Sequence, residues 1–525
     1  MFSRPAHLRH RFVLAAIALS LAGVLAVAGC TSAVDQAATE AGSAEATEGG
    51  VLRIGDGGDL VPASFYSGAL AGATITGLVY DTLVSYPPDG LEAEPVLAES
   101  WEVSPDGTSV TLALRPDVTF HDGRPFTSED AEFSLRTYAD PIRAGQLAST
   151  AALITEYDTS DPHVLTLTLS EPASNILDLL DIVPIIDKDT IADFDAGSGY
   201  NGTGAFRFVE WKPSASITFE ANEGYWGGAP HLDGVEYLVI PDAQTRVSQL
   251  RSGQLDLLLS IAPRDAEQLE SDNRYQLVDQ TGVERNWYIG ANVQAPGISD
   301  VRVRQAIAYA VDNDRILADV YQGYGTVGSL PWPEYSPAYD ADLNDTYAQD
   351  VDKAKSLVAE VGAIPVIPIT YTTGSSESEA VAQIVQADLA AAGIETRLEP
   401  VDQATNLKHL IGGTYGGLWI TAHTYTQYTP ATLPTSAYPF NSKKNTSNFI
   451  DPDYQAAVAN AWQIIDPTSA EAEAAYKVLN TELLDNAFLI ELFASENWLA
   501  MSGNVHGVDW SKKAELDLSD TYLSE

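Results

Sequence analysis

A chain of 525 residues with a single cysteine must hold its fold together without a disulfide. That cysteine, Cys30, closes the run Leu25-Ala26-Val27-Ala28-Gly29-Cys30. Arg4, Arg9 and Arg11 come before it, then an apolar stretch over 12–28 broken only by Ser20 and Gly23. A basic end, an apolar core and small residues at the cut form the three-part pattern of a secretory signal. The apolar core is short for a bilayer span, which needs roughly 20 residues. Residues 1–29 are therefore expected to be a signal peptide that is removed. Residues 30–50 read as a flexible stalk: small, polar and acidic, ending in Gly49-Gly50. Such a stretch cannot bury enough apolar surface to offset its ordering entropy.

The body beyond residue 50 is long enough for two or three domains with their own cores. A hydrophobic content of 45% and 24 tyrosines fit a globular chain whose stability comes from that core. The net charge of −45 argues against nucleic acid or anionic lipid headgroups as partners of the body. It could draw cationic ligands, but a solvated surface suited to salt or to crowding at a cell envelope is the preferred explanation. Charge alone names no ligand.

Periodicity divides the body by texture. Residues 51–55 open as a strand, and 71–86 carry apolar residues at helical spacing. A hairpin follows: 100–104 alternates, Pro105-Asp106-Gly107 turns, and 109–115 alternates again. Thr127-Ser128-Glu129-Asp130 reads as a helix start, with Thr127 or Ser128 as the cap. Strands are expected at 164–169, 206–211 and 216–220. Beyond them a strand at 235–240, a helix over 243–253 and a strand at 256–260 have the spacing of an α/β unit with a parallel sheet. A strand at 287–292 and one long helix over 300–323 follow, then helices over 352–361 and 377–392 with strands at 366–371 and 394–400. Two α/β regions thus flank a β-rich insert.

No enzyme constellation stands out. Gly197-Ser198-Gly199-Tyr200-Asn201-Gly202 matches GxGxxG, but Asp193-Phe194-Asp195 precedes it and a β segment follows, whereas a dinucleotide site needs strand before and helix after. Past the signal, histidines stand at 121, 163, 231, 409, 423 and 506, none three or four apart, so no metal site is expected. No Gly-x-Ser-x-Gly elbow or Ser-x-x-Lys motif occurs. A glycosidase-like carboxylate pair stays open among so many acids. The pattern favours a binding protein with no cofactor over a surface-anchored hydrolase.

Val27-Ala28-Gly29-Cys30 resembles the lipobox of bacterial lipoproteins, which implies that Cys30 is lipidated. Four further stretches resemble the family 5 extracellular solute-binding proteins of ABC importers, the peptide- and nickel-binding group. The first is Pro95-Val96-Leu97-Ala98-Glu99-Ser100-Trp101, running through Ser104-Pro105-Asp106-Gly107 to Phe120-His121-Asp122-Gly123 and Thr127-Ser128-Glu129-Asp130. Gly202-Thr203-Gly204-Ala205-Phe206 with Asn222-Glu223-Gly224-Tyr225-Trp226 is the second, and Pro241-Asp242-Ala243-Gln244-Thr245-Arg246 with Leu250-Arg251-Ser252-Gly253 the third. The fourth is Val301-Arg302-Val303-Arg304-Gln305-Ala306-Ile307, continuing to Asp312.

The resemblance implies a two-lobed, periplasmic-binding-protein-like α/β fold with an extra β-rich subdomain at about 87–200. Lobe one would be 51–285 plus a return over 490–525, and lobe two 286–489. It further implies an exported, lipid-anchored monomeric receptor that captures a solute between its lobes and hands it to a permease and ATPase complex. Peptide is the group's commonest ligand; a sugar-like or other non-peptide solute is the alternative. Members of the group that bind peptides hold the α-amine with an Asp in a loop resembling Trp-x-x-Asp-x-x-Asp-Pro. The matching loop here, 419–430, carries no acid. Its Trp419, His423, Tyr425 and Tyr428 become candidate ligand contacts, together with Tyr66, Trp287 and Trp332.

Overall fold

The computed structural model describes residues 48–524 apart from 68–69, 89, 91, 144 and 425–427. The expected signal peptide, Cys30 and most of the stalk lie outside the described residues, as does Tyr425. The described residues fall in one compact unit with two large apolar clusters, one in each lobe.

Lobe one is built on a seven-stranded mixed sheet. Val51–Asp56 lies inside it, parallel to Gly234–Val239 on one side and to Leu257–Leu258 on the other. The helix Ala243–Arg251, capped by Asp242 accepting from the Thr245 N–H, joins those two neighbours. This is the parallel unit that the spacing implies, wound about the first strand. Antiparallel strands Ser216–Ala221 and Phe206–Lys212 extend one side. On the other side come Trp498–Ser502, from the end of the chain, and Tyr275–Asp279. The β-rich subdomain is a four-stranded antiparallel sheet, Ala98–Val103, Ser109–Leu114, Val164–Leu169 and Ile154–Asp161. It packs with the helix Ser128–Ala139, whose cap is Thr127, with the Asp130 carboxylate accepting from the Thr127 N–H at 3.0 Å. The GxGxxG run follows the helix Ile191–Ala196, ended by Gly197 in the left-handed region, and leads to a strand.

Lobe two carries a six-stranded sheet in the order Gly325–Val327, Leu489–Ser495, Arg285–Ala291, Leu418–Thr424, Ile367–Thr372, Thr396–Val401. The chain leaves this sheet only after Ser495, later than the expected boundary at 489. The apolar Leu489–Ser495 pairs along Arg285–Ala291 and is one of the sheet's inner strands. A second correction concerns 300–323, expected as one helix. It is two, Val301–Ala310 and Asn313–Tyr321, because Val311 turns extended and Asp312 caps the next helix by accepting from the Arg315 N–H. The helix expected over 71–86 ends at Val79, and the N–H of Gly204 takes up the Val79 carbonyl.

The two lobes are joined by neighbouring crossings at 280–284 and 496–497. The crossings bond to one another: the Gln280 N–H donates to the Asn497 carbonyl at 2.8 Å, and the Asn497 side-chain amide donates to Gln280 Oε1. Gly282, at φ +89°, lies where a Cβ would stand 2.3 Å from the Pro88 carbonyl oxygen, so glycine is required there.

Candidate functional site

A cavity of about 540 Å³ lies where these crossings meet the two lobes. Lobe one supplies Tyr66, on the turn Pro62–Ser67, and Tyr138, on the helix Ser128–Ala139. Arg285 and Thr424 supply the lobe-two wall as directly opposed partners on adjacent strands. Asn497 comes from the returning crossing, and Lys513 and Glu515 from the C-terminal tail.

The charges of this cavity are unequal in their freedom. Lys513 Nζ lies 2.7 Å from Asp181, which is buried, and 3.4 Å from Glu515, which like Lys513 is largely covered. Burial opposes its charge, but the two carboxylates outweigh that and hold the ammonium above its ordinary range. Burial pushes the Glu515 carboxyl up, with Lys513 acting the other way. Arg285 has no ion-pair partner among the described residues; its guanidinium lies 5.8 Å from the Trp287 ring centroid. The Tyr66 hydroxyl is buried without a hydrogen-bond partner among the described residues, and desolvation pushes the phenol well up.

A second cavity, of about 270 Å³, lies on the other side of the crossing strands. Asp279, Glu284, Glu334, Glu491 and Glu496 line it, with Trp332, Tyr335 and Phe493 as aromatic walls. Strand alternation sorts the residues: Glu284 and Asn286 turn to the acidic cavity and Arg285 between them to the larger one. Glu496 and Asn497 divide in the same way. Burial raises the Asp279 carboxyl to about 6, and the neighbouring Glu496 and Glu284 add to it.

A seam of contacts joins the lobes beside the cavities. Tyr86 of lobe one stacks on Tyr428 of lobe two at 4.8 Å. Lys512 Nζ, buried without a hydrogen-bond partner among the described residues, lies 4.6 Å from the Tyr335 ring centroid and 5.4 Å from that of Tyr428. Asp178, on the lobe-one helix Ile176–Ile182, accepts from the Thr429 N–H at 3.0 Å and the Thr432 hydroxyl at 3.3 Å. Burial raises this carboxyl to about 7, against the lowering effect of the Thr429 bonds.

The expected site residues scatter across these regions. Tyr66 lines the larger cavity and Trp332 the acidic one, its indole N–H donating to Asn480 Oδ1 at 2.6 Å. Tyr428 belongs to the seam. Two aromatics prove to be lobe-two core. Trp419 is fully buried, stacked on Tyr415 at 4.5 Å, and Trp287 stacks on Phe493 at 6.2 Å. The two rings lie on opposite faces of the sheet, Trp287 on that of Arg285 and Trp419 on that of Asn286, and both are buried further along the ladder, away from the cavities. His423 packs against the Phe440 and Tyr288 rings, with Nε2 3.4 Å from Glu491. The cavity residues that aromatic content did not flag are Arg285, Tyr138, Thr424, Asn497, Lys513 and Glu515. Arg285 was within reach: it alternates with Glu284 and Asn286 on a strand at the expected crossing.

Two α/β lobes, a double crossing and a cavity walled by both lobes are the architecture of the two-lobed binding-protein class. Residues 92–448 match the profile of the bacterial extracellular solute-binding proteins, family 5 Middle, and the chain belongs to that family. It is 32% identical over 352 residues to heme-binding protein A of Haemophilus influenzae, covering 61% of this chain and 64% of that protein. To the dipeptide-binding protein of Escherichia coli it is 29% identical over 388 residues, 67% of this chain and 71% of the other. Among solved structures, the binding protein AgaA of A. tumefaciens R10, in complex with agropinic acid, superposes with a TM-score of 0.78 at 26% identity, covering 91% of this chain and 99% of its own. CtaP of Listeria monocytogenes shares the fold with a TM-score of 0.82 at 24% identity, over 91% of this chain and 100% of CtaP. No helix among the described residues is long and apolar enough to cross a membrane.

Proposed function

We propose that this chain is the solute receptor of an ABC importer, that its solute is a short peptide, and that it turns nothing over. The observation that carries this reading is the larger cavity, whose wall is made by both lobes and both crossings together. A solute touching both walls favours the closed arrangement by its differential affinity, which is the signal a permease can read. Relatives named for dipeptide and oligopeptide binding support the choice of solute. On this reading residues 51–279 and 498–525 act as one lobe and 285–495 as the other. The test is purified mature protein with a tripeptide library. A thermal shift with the peptides recovered intact is the expected result; hydrolysis products would make it an enzyme. Mass spectrometry of molecules that co-purify would name the natural solute.

The protein is held outside the cell membrane by lipid on Cys30. Cys30→Ser should release it while leaving solute affinity unchanged. Equal membrane retention of the variant would overturn the anchor.

A further inference from the structure

We infer that the larger cavity selects its solute by an oxyanion end, received by Arg285, and asks for no free amine. This rests on the receptor reading and names the chemical class of the solute: a short peptide presenting its C-terminal carboxylate.

Charge singles out one residue of the cavity. The chain carries −45, so an unpaired positive group in a cavity is not an average of its surroundings. Three charged residues line this cavity, Arg285, Lys513 and Glu515. Lys513 is already bound by Asp181 and Glu515, and Glu515 is spent on Lys513. Arg285 is what remains. Its neighbours in sequence cannot neutralise it through the strand, because alternation turns Glu284 to the acidic cavity behind. Residues 425–427, which follow Thr424 at the cavity wall, are Tyr-Thr-Gln and add no carboxylate.

Geometry supports the same choice. The backbone of Arg285 is pinned between Thr424 on one side and Ser495 on the other, while its side chain is exposed. A guanidinium so placed offers a planar fork of N–H donors, which matches a carboxylate with two parallel hydrogen bonds. Tyr66, more than nine-tenths buried in the opposite lobe, has a hydroxyl with no hydrogen-bond partner among the described residues. A buried hydroxyl left unsatisfied costs free energy that an acceptor atom on the solute removes. A guanidinium without a counter-ion and a phenol without an acceptor ask for an acid and a carbonyl. No described lining residue holds a free carboxylate for an ammonium.

The test uses the mature protein and one tripeptide library in three forms: free, N-acetylated and C-amidated. Isothermal titration should show that acetylation changes affinity less than about three-fold and amidation weakens it at least ten-fold. Arg285→Gln should bring the free form down to the amide, and Arg285→Lys should restore part of the difference. An amide that binds as well as the free acid, or a loss on acetylation alone, overturns the inference and leaves the peptide receptor standing. If no tripeptide binds, the peptide reading fails, and a panel of small carboxylic acids against their neutral amides decides the rest. Acids that bind through Arg285 keep the inference, and no preference for acids overturns it. Circular dichroism melts of the Arg285 variants that match the parent exclude misfolding as the cause.

Discussion

The strand pair Arg285–Ala291 and Leu418–Thr424 has two unlike ends. At one end Ala291 pairs with Leu418 and Gly290 with Trp419, and every side chain is buried. At the other, Arg285 pairs with Thr424 and both are exposed to the cavity. One antiparallel ladder therefore serves as core over most of its length and as cavity wall at its last pair. The core end is specified by shape: a Cβ on Gly290 would stand 2.0 Å from the Trp419 ring, so glycine leaves the room the indole fills. The cavity end is specified by charge and by which face each residue takes. Rigid packing at one end fixes the positions of the cavity-lining groups at the other.

The sharpest way to break that division is Trp419→Ala. Removing a fully buried indole stacked on Tyr415 should cost about 3–5 kcal/mol of stability. Affinity of the fraction that remains folded should not change. Urea unfolding alongside titration calorimetry checks both. An unchanged unfolding midpoint with lost affinity would make Trp419 a ligand contact and dissolve the contrast between the two ends.

Legibility in the sequence follows the same division. The first strand, the hairpin at 100–115 and the helix start at Thr127-Ser128 were readable because local patterns determine them, though the choice of Thr127 as cap was not. The break at Val311-Asp312 was hidden because apolar spacing runs on through it, and only the capping Asp312 marks it. The family and the two-lobed fold came from extended motifs. The cavity was harder, since its wall is assembled from segments hundreds of residues apart: Tyr66, Tyr138, Arg285, Thr424 and Lys513 meet only through topology. Weighing aromatics as ligand contacts selected core residues such as Trp287, because a buried ring in a strand looks the same in sequence whichever way it faces.

Tyr428→Ala sharpens the comparison from the seam. It removes the stack on Tyr86 and one of the two rings beside Lys512, contacts that exist only with the lobes together. The loss should be about 1–2 kcal/mol, aromatic pairing plus the cation's ring contact. It should appear as a more open unliganded form in small-angle scattering and a several-fold weaker solute affinity, because less of the closed state is populated. A loss of global stability as large as that of Trp419→Ala, with no opening, would mean that Tyr428 belongs to the core.

The smallest effect is a pH dependence confined to the cleft side. Asp178 has its carboxyl raised to about 7 by burial, while a free aspartate titrates near about 3.9. The folded, closed protein therefore binds this proton more readily than an open or unfolded one. The stabilisation linked to that proton is complete below about pH 4 and fades as pH rises through about 7, beyond which it is gone. Asp181 and Lys512 act on the group from nearby, Asp181 raising and Lys512 lowering its affinity for the proton, and Thr429 and Thr432 hydrogen-bond it from lobe two. Asp178→Asn keeps a side-chain oxygen for the Thr429 N–H but carries no titrating group. The difference in stability between parent and variant should therefore move by about 1 kcal/mol between about pH 6 and 7.5, the parent losing ground as pH rises. Melting curves of the two proteins across that range measure it. A difference that stays flat, or that grows in the parent's favour towards high pH, would show that the Asp178 carboxylate is already ionised in the seam, bonded by Thr429 and Thr432 strongly enough to outweigh its burial.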